Sequence, residues 1–152
     1  MELYLVQHGE AKQKEEDPER PLTDRGKKEV MKVATFLARS GVNVDQIRHS
    51  GKRRAEETAL IFGEHLSPVA GVRAVQGLAP QDTIAPLTEV LQLETHPIML
   101  VGHLPFLSRL ANVLLTGDAE KTVLQFRKGG CFCLLKDEES WAVAWAVTPD
   151  LL

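Results

Sequence analysis

No apolar run in this chain reaches membrane length. The first, Leu3 to Val6, is four residues long and lacks a basic flank. That falls far short of the roughly 20 residues of a spanning helix, and it does not have the form of a secretory leader. Cysteine is scarce, with Cys131 and Cys133 the only two. A bridge between residues i and i+2 would be strained, and zinc would need two further ligands that no nearby Cys or His supplies. Both thiols read as small core residues on one face of a strand, which fits a reducing compartment. A basic excess is also missing. The 18 Lys and Arg stand against 21 Asp and Glu, a formal net charge of −3, which argues against nucleic acid as a partner. There is no Pro-, Gly- or Ser-rich linker and no repeat. The expectation is one cytoplasmic domain over residues 1–152, large enough to bury a core without disulfides or metals. Two hydrolytic signatures are absent as well: no Gly-x4-Gly-Lys-Ser/Thr loop, and no Gly-x-Ser-x-Gly turn around Ser50.

What is present is an alternation of short β-rich runs with segments of helical period. Leu3–Val6 reads as a strand covered on both faces. Thr23 is placed to cap a helix carrying Val30, Val33, Ala34 and Leu37 on one face, with Gly41 as its stop. Val44–His49 follows as a weaker strand, then a helix over about Lys52–Leu66, then a short strand at Val72–Val75. Asp82 is expected to cap a helix with Ile84, Leu87 and Leu91 on one side and Pro86 in its first turn. Ile98–Val101 is a second buried run, and Pro105 opens a helix lined by Leu107, Leu110, Ala111 and Leu114. The end reads as a hairpin, with Cys131–Leu135 and Trp141–Val147 as arms and Lys136–Ser140 as polar turn. Strict alternation in the second arm predicts that Trp141, Val143, Trp145 and Val147 share one face, as core rather than as a binding platform. The rhythm predicts an α/β fold: a mostly parallel sheet in a three-layer α/β/α arrangement with a C-terminal hairpin.

In an open α/β sheet, ligands bind beyond the carboxyl ends of the strands. Three strand ends here carry polar chemistry: Gln7-His8-Gly9-Glu10, Ser50-Gly51-Lys52-Arg53-Arg54 and Gly102-His103-Leu104-Pro105. A Lys-Arg-Arg run opposes the positive end of a helix dipole, so its position makes sense if an anion also sits there. Phosphate is the leading candidate. Glycines beside both histidines allow close approach of backbone to a ligand. Neutral imidazole can attack phosphorus, and protonated imidazole can donate a hydrogen bond to a phosphoryl oxygen. A metal held by His8, Glu10 and His103 is disfavoured, because the adjacent arginines would repel a cation. The segment Lys12–Arg20, with seven charged residues in nine, reads as a solvated loop or as a rim touching a partner protein.

These residues resemble the histidine phosphatase (phosphoglycerate mutase-like) superfamily. Gln7-His8-Gly9 is similar to its Arg-His-Gly motif, and Leu22-Thr23-x-x-Gly26 to its Leu-Thr-x-x-Gly segment. Ser50-x-x-x-Arg54-Ala55-x-x-Thr58 resembles Ser-x-x-x-Arg-Ala-x-x-Thr, and Gly102-His103 the late Gly/Ser-His motif. The stretch between Ala55 and Gly102 is compact, and His103-Leu104-Pro105 together with the short chain is most similar to SixA-type phosphohistidine phosphatases. The resemblance implies a phosphoglycerate mutase-like fold and a phosphatase acting on phosphohistidine in proteins. His8 would be the nucleophile, with Arg54 and His103 as catalytic and phosphate-binding groups and Gln7, Gly9 and Ser50 also at the phosphate. It implies no cofactor and no metal. The partner would be a phosphohistidine-bearing protein or a small phosphorylated molecule, not a membrane. A small-molecule phosphomonoesterase, with Glu10 or Asp82 as general acid, is the alternative of the same family. Gln7 stands where the family has arginine, which also admits a degenerate phosphate-binding member. Losing that charge would cost a few kcal/mol, by analogy with loss of one oxyanion donor, unless Lys52 or Arg53 supplies it.

Overall fold

A computed structural model describes all residues, 1–152. Along the chain run β1 (Glu2–Gln7), α1 (Asp24–Arg39), β2 (Gln46–His49), α2 (Arg53–Leu66) and β3 (Val72–Ala74). Then follow α3 (Ala85–Leu93), β4 (Ile98–Gly102), α4 (Phe106–Thr116), β5 (Cys131–Asp137), β6 (Ser140–Val147) and a 3-10 turn at Pro149–Leu151. The six strands form one sheet in the order β3-β2-β4-β1-β5-β6. The first four in that order are parallel, and β5 and β6 pair antiparallel. This is the expected α/β architecture with a phosphoglycerate mutase-like sheet and a terminal hairpin. No helix is long and apolar enough to cross a membrane.

Both faces of the sheet are covered, which is why β1 and β4 read as unbroken apolar runs. Val30, Val33, Ala34 and Leu37 of α1 and Ala55, Ala59 and Phe62 of α2 pack with Tyr4, Val6 and Met99 on one side. Leu91 of α3 and Phe106, Leu107 and Leu110 of α4 pack with Leu3, Leu5 and Leu100 on the other. The central strands are thereby fixed in register, with Leu3 opposite Ile98 and Gln7 opposite Gly102. A one-residue slip would turn every core side chain to the wrong face.

The helix starts follow the sequence where side-chain chemistry decides them. Thr23 caps α1, its Oγ1 accepting from Gly26 N at 2.9 Å. Gly41, at φ +76°, follows its C-terminus. Asp82 does something other than cap. Its Oδ2 accepts from Ala79 N at 2.9 Å, closing the turn before the helix, and α3 begins only at Ala85 with Pro86 in its first turn. Pro105 sits one position outside α4, as its N-cap residue.

The hairpin departs from strict alternation. Its arms extend to Asp137 and Ser140, leaving only Glu138 and Glu139 as the turn. Cys133 pairs with Trp145 but Leu134 pairs with Val143, so Ala144 is the extra residue of a β-bulge. The bulge puts the two tryptophans on opposite faces. Trp145 joins the α1–α2 side, 5.8 Å from Tyr4 between ring centroids, while Trp141 packs on the α3–α4 side. Both are half-buried core residues, and Cys131 and Cys133 are buried free thiols.

Candidate active site

The register carries the chemistry to one edge. Because Gln7 lies opposite Gly102 and His49 opposite Val101, the residues that follow, His8, Ser50 and His103, leave the sheet together. His8 and His103 are both buried, with ring centroids 5.1 Å apart and planes tilted by 53°. His8 N donates to Gly102 O at 3.0 Å, tying the two loops to each other.

Each motif spacing has a local mechanical reason. Gly9 N donates to Thr58 Oγ1 at 3.0 Å, and Thr58 Oγ1 donates to Arg54 O at 2.8 Å. The Arg54–Thr58 interval is one helical turn, so the face of α2 that presents Arg54 also holds the loop after His8. A Cβ on Gly26 would lie 2.2 Å from Glu10 O, and one on Gly9 would lie 2.7 Å from Val30 Cγ2. Glycine at both places lets α1 press against the strand-end loop. Glu10 Oε2 accepts from Thr23 Oγ1 at 2.7 Å, so this carboxylate serves the start of α1.

The hydrogen bonds set the state of His8. Its Nδ1 lies 2.7 Å from Gly9 O. A carbonyl can only accept, so Nδ1 carries the proton, and in the neutral ring Nε2 has its lone pair free. Burial pushes His8 down to about 4; the bond to Gly9 O opposes this, while Arg54, Lys128 and Arg20 deepen it. His103 is pushed down to about 3, first by burial and then by His8, Arg54, Lys52 and Arg20. Its Nε2 is hydrogen-bonded with Ser50 Oγ at 2.6 Å, and Lys52 N donates to that same oxygen at 3.3 Å. Burial and the Arg20 charge likewise lower the Arg54 guanidinium.

These shifts predict acid sensitivity. An unfolded histidine takes its proton near pH 6.5, whereas these two resist until about 4 and 3. Between those values the unfolded state binds more protons, so stability falls as pH drops and is unaffected by this pair above 6.5. Urea unfolding at pH 7.5 and 5.0 is expected to show a smaller loss for His103→Asn than for the unsubstituted protein. An equal loss would mean that the imidazole is not buried neutral.

The start of α2 suits an anion. Its N-cap residue, Lys52, contributes no side-chain cap, and neither the Arg53 nor the Arg54 amide has an acceptor within the chain. Arg54 Nε and His103 Nδ1 are two of three buried side-chain polar atoms without a partner, at the place where a polar ligand would satisfy them. His8, Arg54 and His103 converge, and Ser50 stands behind His103. Gly9 has given its amide to Thr58. Gln7 is 9% exposed and faces a groove of about 540 Å³ shared with Leu104, Arg127 and Lys128. Arg53 does not replace the missing family arginine, because Glu19 and Glu57 hold it at 2.7 and 3.0 Å. Lys128 and Arg20 bear on His8 without forming part of any motif. Lys128 is brought there by Gly129 N donating to Gln7 O at 2.9 Å, a contact that sequence spacing does not reveal.

The likenesses to known proteins agree with this geometry. The solved structure of the protein histidine phosphatase SixA complexed with tungstate superposes with a TM-score of 0.88, covering 99% of both chains at 24% identity. Phosphohistidine phosphatase SixA of Escherichia coli K12 is 26% identical over 123 residues, 78% of this chain and 76% of that one. An uncharacterized protein of Picosynechococcus is 34% identical over 126 residues, 78% of this chain and 75% of its own. Residues 3–80, about half of the chain, match the family description of the histidine phosphatase superfamily (branch 1). With its motifs on one sheet edge and its sequence matched across them, the chain belongs to the histidine phosphatase superfamily, branch 1.

Proposed function

We propose that this protein is a phosphatase that removes the phosphoryl group from phosphohistidine in proteins by way of a covalent intermediate on His8. The observation that carries the reading is the His8 tautomer, with Nδ1–H held on Gly9 O at 2.7 Å and a neutral ring at physiological pH. Nε2 attacks phosphorus, the phosphorus–nitrogen bond of the substrate breaks, and its electron pair returns to the departing imidazole. Arg54 and His103 hold the phosphoryl oxygens as charge spreads over them. Water then attacks the phosphorus on His8, releases phosphate and restores Nε2. No step requires a metal.

The carboxylates favour a nitrogen leaving group over an alkoxide. Glu10 is engaged by Thr23, and Asp82 by Ala79. Neither hydrogen-bonds to either histidine, whereas an alkoxide departs well only with a placed acid. A substrate ring that already carries a proton on its other nitrogen takes up the electron pair and leaves as neutral imidazole, so it needs none. The likeness to SixA, 26% identical, supports the same substrate, and the exposed Lys12–Glu19 rim offers a surface for the protein that carries it. The test compares kcat/KM for a phosphohistidine-bearing protein, phosphoramidate and alkyl phosphomonoesters. The nitrogen–phosphorus substrates are expected to exceed the esters by about a hundredfold or more, the usual contribution of a missing general acid. Preference for an ester would overturn the proposal.

A further inference from the structure

The outer face of α1 carries a pattern that the catalytic chemistry leaves unused. Its inner stripe, Val30, Val33, Ala34 and Leu37, fills the core. On the outside, Lys28, Met31, Lys32, Thr35, Phe36 and Arg39 follow one another at helical spacing and form a continuous row. With Leu152, just beyond the C-terminal 3-10 turn, they line a groove of about 630 Å³. Met31 and Phe36 are 47% and 43% exposed, although a large apolar side chain gains by leaving water. Lys28, Lys32 and Arg39 are exposed and form no ion pair. No acidic side chain lines the groove. A chain of net charge −3 thus has one locally cationic surface with apolar anchors set into it.

This groove lies next to the catalytic edge. Arg25 and Glu29, about one turn before Lys28 and Lys32, line the neighbouring groove that Gln7, Arg127 and Lys128 share. Pro149 and Asp150 of the C-terminal turn line that groove, as Leu152 lines this one. From Arg25 to Arg39, α1 is a rail about 20 Å long, at a rise of about 1.5 Å per residue. It leads away from the paired histidines. A helix laid along such a groove seats apolar residues at i and i+4 and sets its charges against those of the rim. Carboxylates are the charges that suit this rim. A bilayer offers no ridge to fill a groove, and a two-fold contact with a second copy would set the same cations against each other.

We propose that the outer face of α1 is the docking surface for the protein that carries the phosphohistidine. It receives an acidic amphipathic helix, whose apolar residues pack on Met31 and Phe36 and whose carboxylates face Lys28, Lys32 and Arg39. The inference rests on the phosphatase reading, which hydrolysis of free phosphoramidate tests separately. The probe is a helical phosphorelay domain of acidic surface, phosphorylated on its histidine. Lys28→Glu/Lys32→Glu is expected to raise KM for this domain about tenfold or more, with kcat within about twofold and phosphoramidate kcat/KM unchanged. Phe36→Ser is expected to raise the same KM about five- to tenfold. Lys32→Glu alone is compared with Lys121→Glu, an equal change of charge at an exposed position outside the groove, which is expected to leave KM unchanged. The proposal is overturned if the double variant and Phe36→Ser keep KM within twofold, or if Lys32→Glu and Lys121→Glu act alike. It is equally overturned if this face binds phosphatidylglycerol vesicles or a second copy of the chain, read by sedimentation of the unsubstituted protein against Phe36→Ser. If neither phosphoramidate nor the phosphorylated domain is hydrolysed, the phosphatase reading fails. In that event a Kd for the domain, measured by calorimetry, that weakens about tenfold in the double variant upholds the docking surface, and an unchanged Kd overturns it.

Discussion

Replacing His8 by Asn is expected to lower turnover of phosphohistidine or phosphoramidate by about ten-thousand-fold or more, the scale on which enzymes lose their nucleophile. The fold is expected to survive. The amide of residue 8 still donates to Gly102 O, and an Asn side-chain amide can still donate to Gly9 O, as His8 Nδ1 does now. What disappears is the Nε2 lone pair. Unfolding at neutral pH is expected to shift little, and at pH 5 the variant should be relatively sturdier, because burying a neutral ring against its tendency to protonate costs free energy there. Hydrolysis within tenfold of the unsubstituted protein would mean that another group attacks phosphorus.

Arg54→Gln is expected to reduce kcat/KM by about 10²–10³-fold, equivalent to ~2.7–4 kcal/mol of transition-state stabilisation. Arg54→Lys should recover little, since a single ammonium cannot reproduce two parallel hydrogen bonds to a phosphoryl group. Stability should move the other way. Arg54 is held with its Nε buried and unpartnered, and with the Arg20 charge nearby. Removing it relieves a like-charge contact, so the unfolding midpoint is expected to hold or rise. Arg53→Gln provides the contrast. It breaks the exposed pairs to Glu19 and Glu57, each worth well under about 1 kcal/mol, and leaves the rate nearly unchanged.

Much of this was legible in the sequence because the elements that place the site are governed by short-range rules. Thr23 announces α1, the apolar runs Leu3–Val6 and Ile98–Val101 announce the central strands, and the polar residues just beyond them mark the functional edge. The spacing Arg54-x-x-x-Thr58 puts both on one helical face. What stayed hidden depends on contacts distant in sequence or on a single inserted residue. The bulge at Ala144 reverses which face Trp141 occupies, and no alternation count can place a bulge. Asp82 satisfies a nearer amide than the one a cap would serve. Arg53 and Arg54 are adjacent cations in the sequence, but one is neutralised by Glu19 across the loop and the other turns inward. Arg20 belongs to a charged run that looks uniformly solvated, and only its left-handed backbone and loop closure set it apart.

The scarcity of positive charge in the chain as a whole, a net −3, coexists with a local excess. Arg20, Lys52, Arg54 and Lys128 all bear on the paired histidines. A pocket for one phosphoryl group needs only that neighbourhood, because charge interactions between exposed groups are screened beyond about 10 Å. The central claim concerns where the phosphoryl group goes inside that pocket. Brief reaction with a ³²P-labelled phosphoramidate, quenched in alkali and followed by peptide mapping, tests it most directly. The account predicts an alkali-stable, acid-labile label on the peptide containing His8, absent from His8→Asn. A label on any other residue, or hydrolysis that proceeds with no labelled protein at the earliest times, would contradict it.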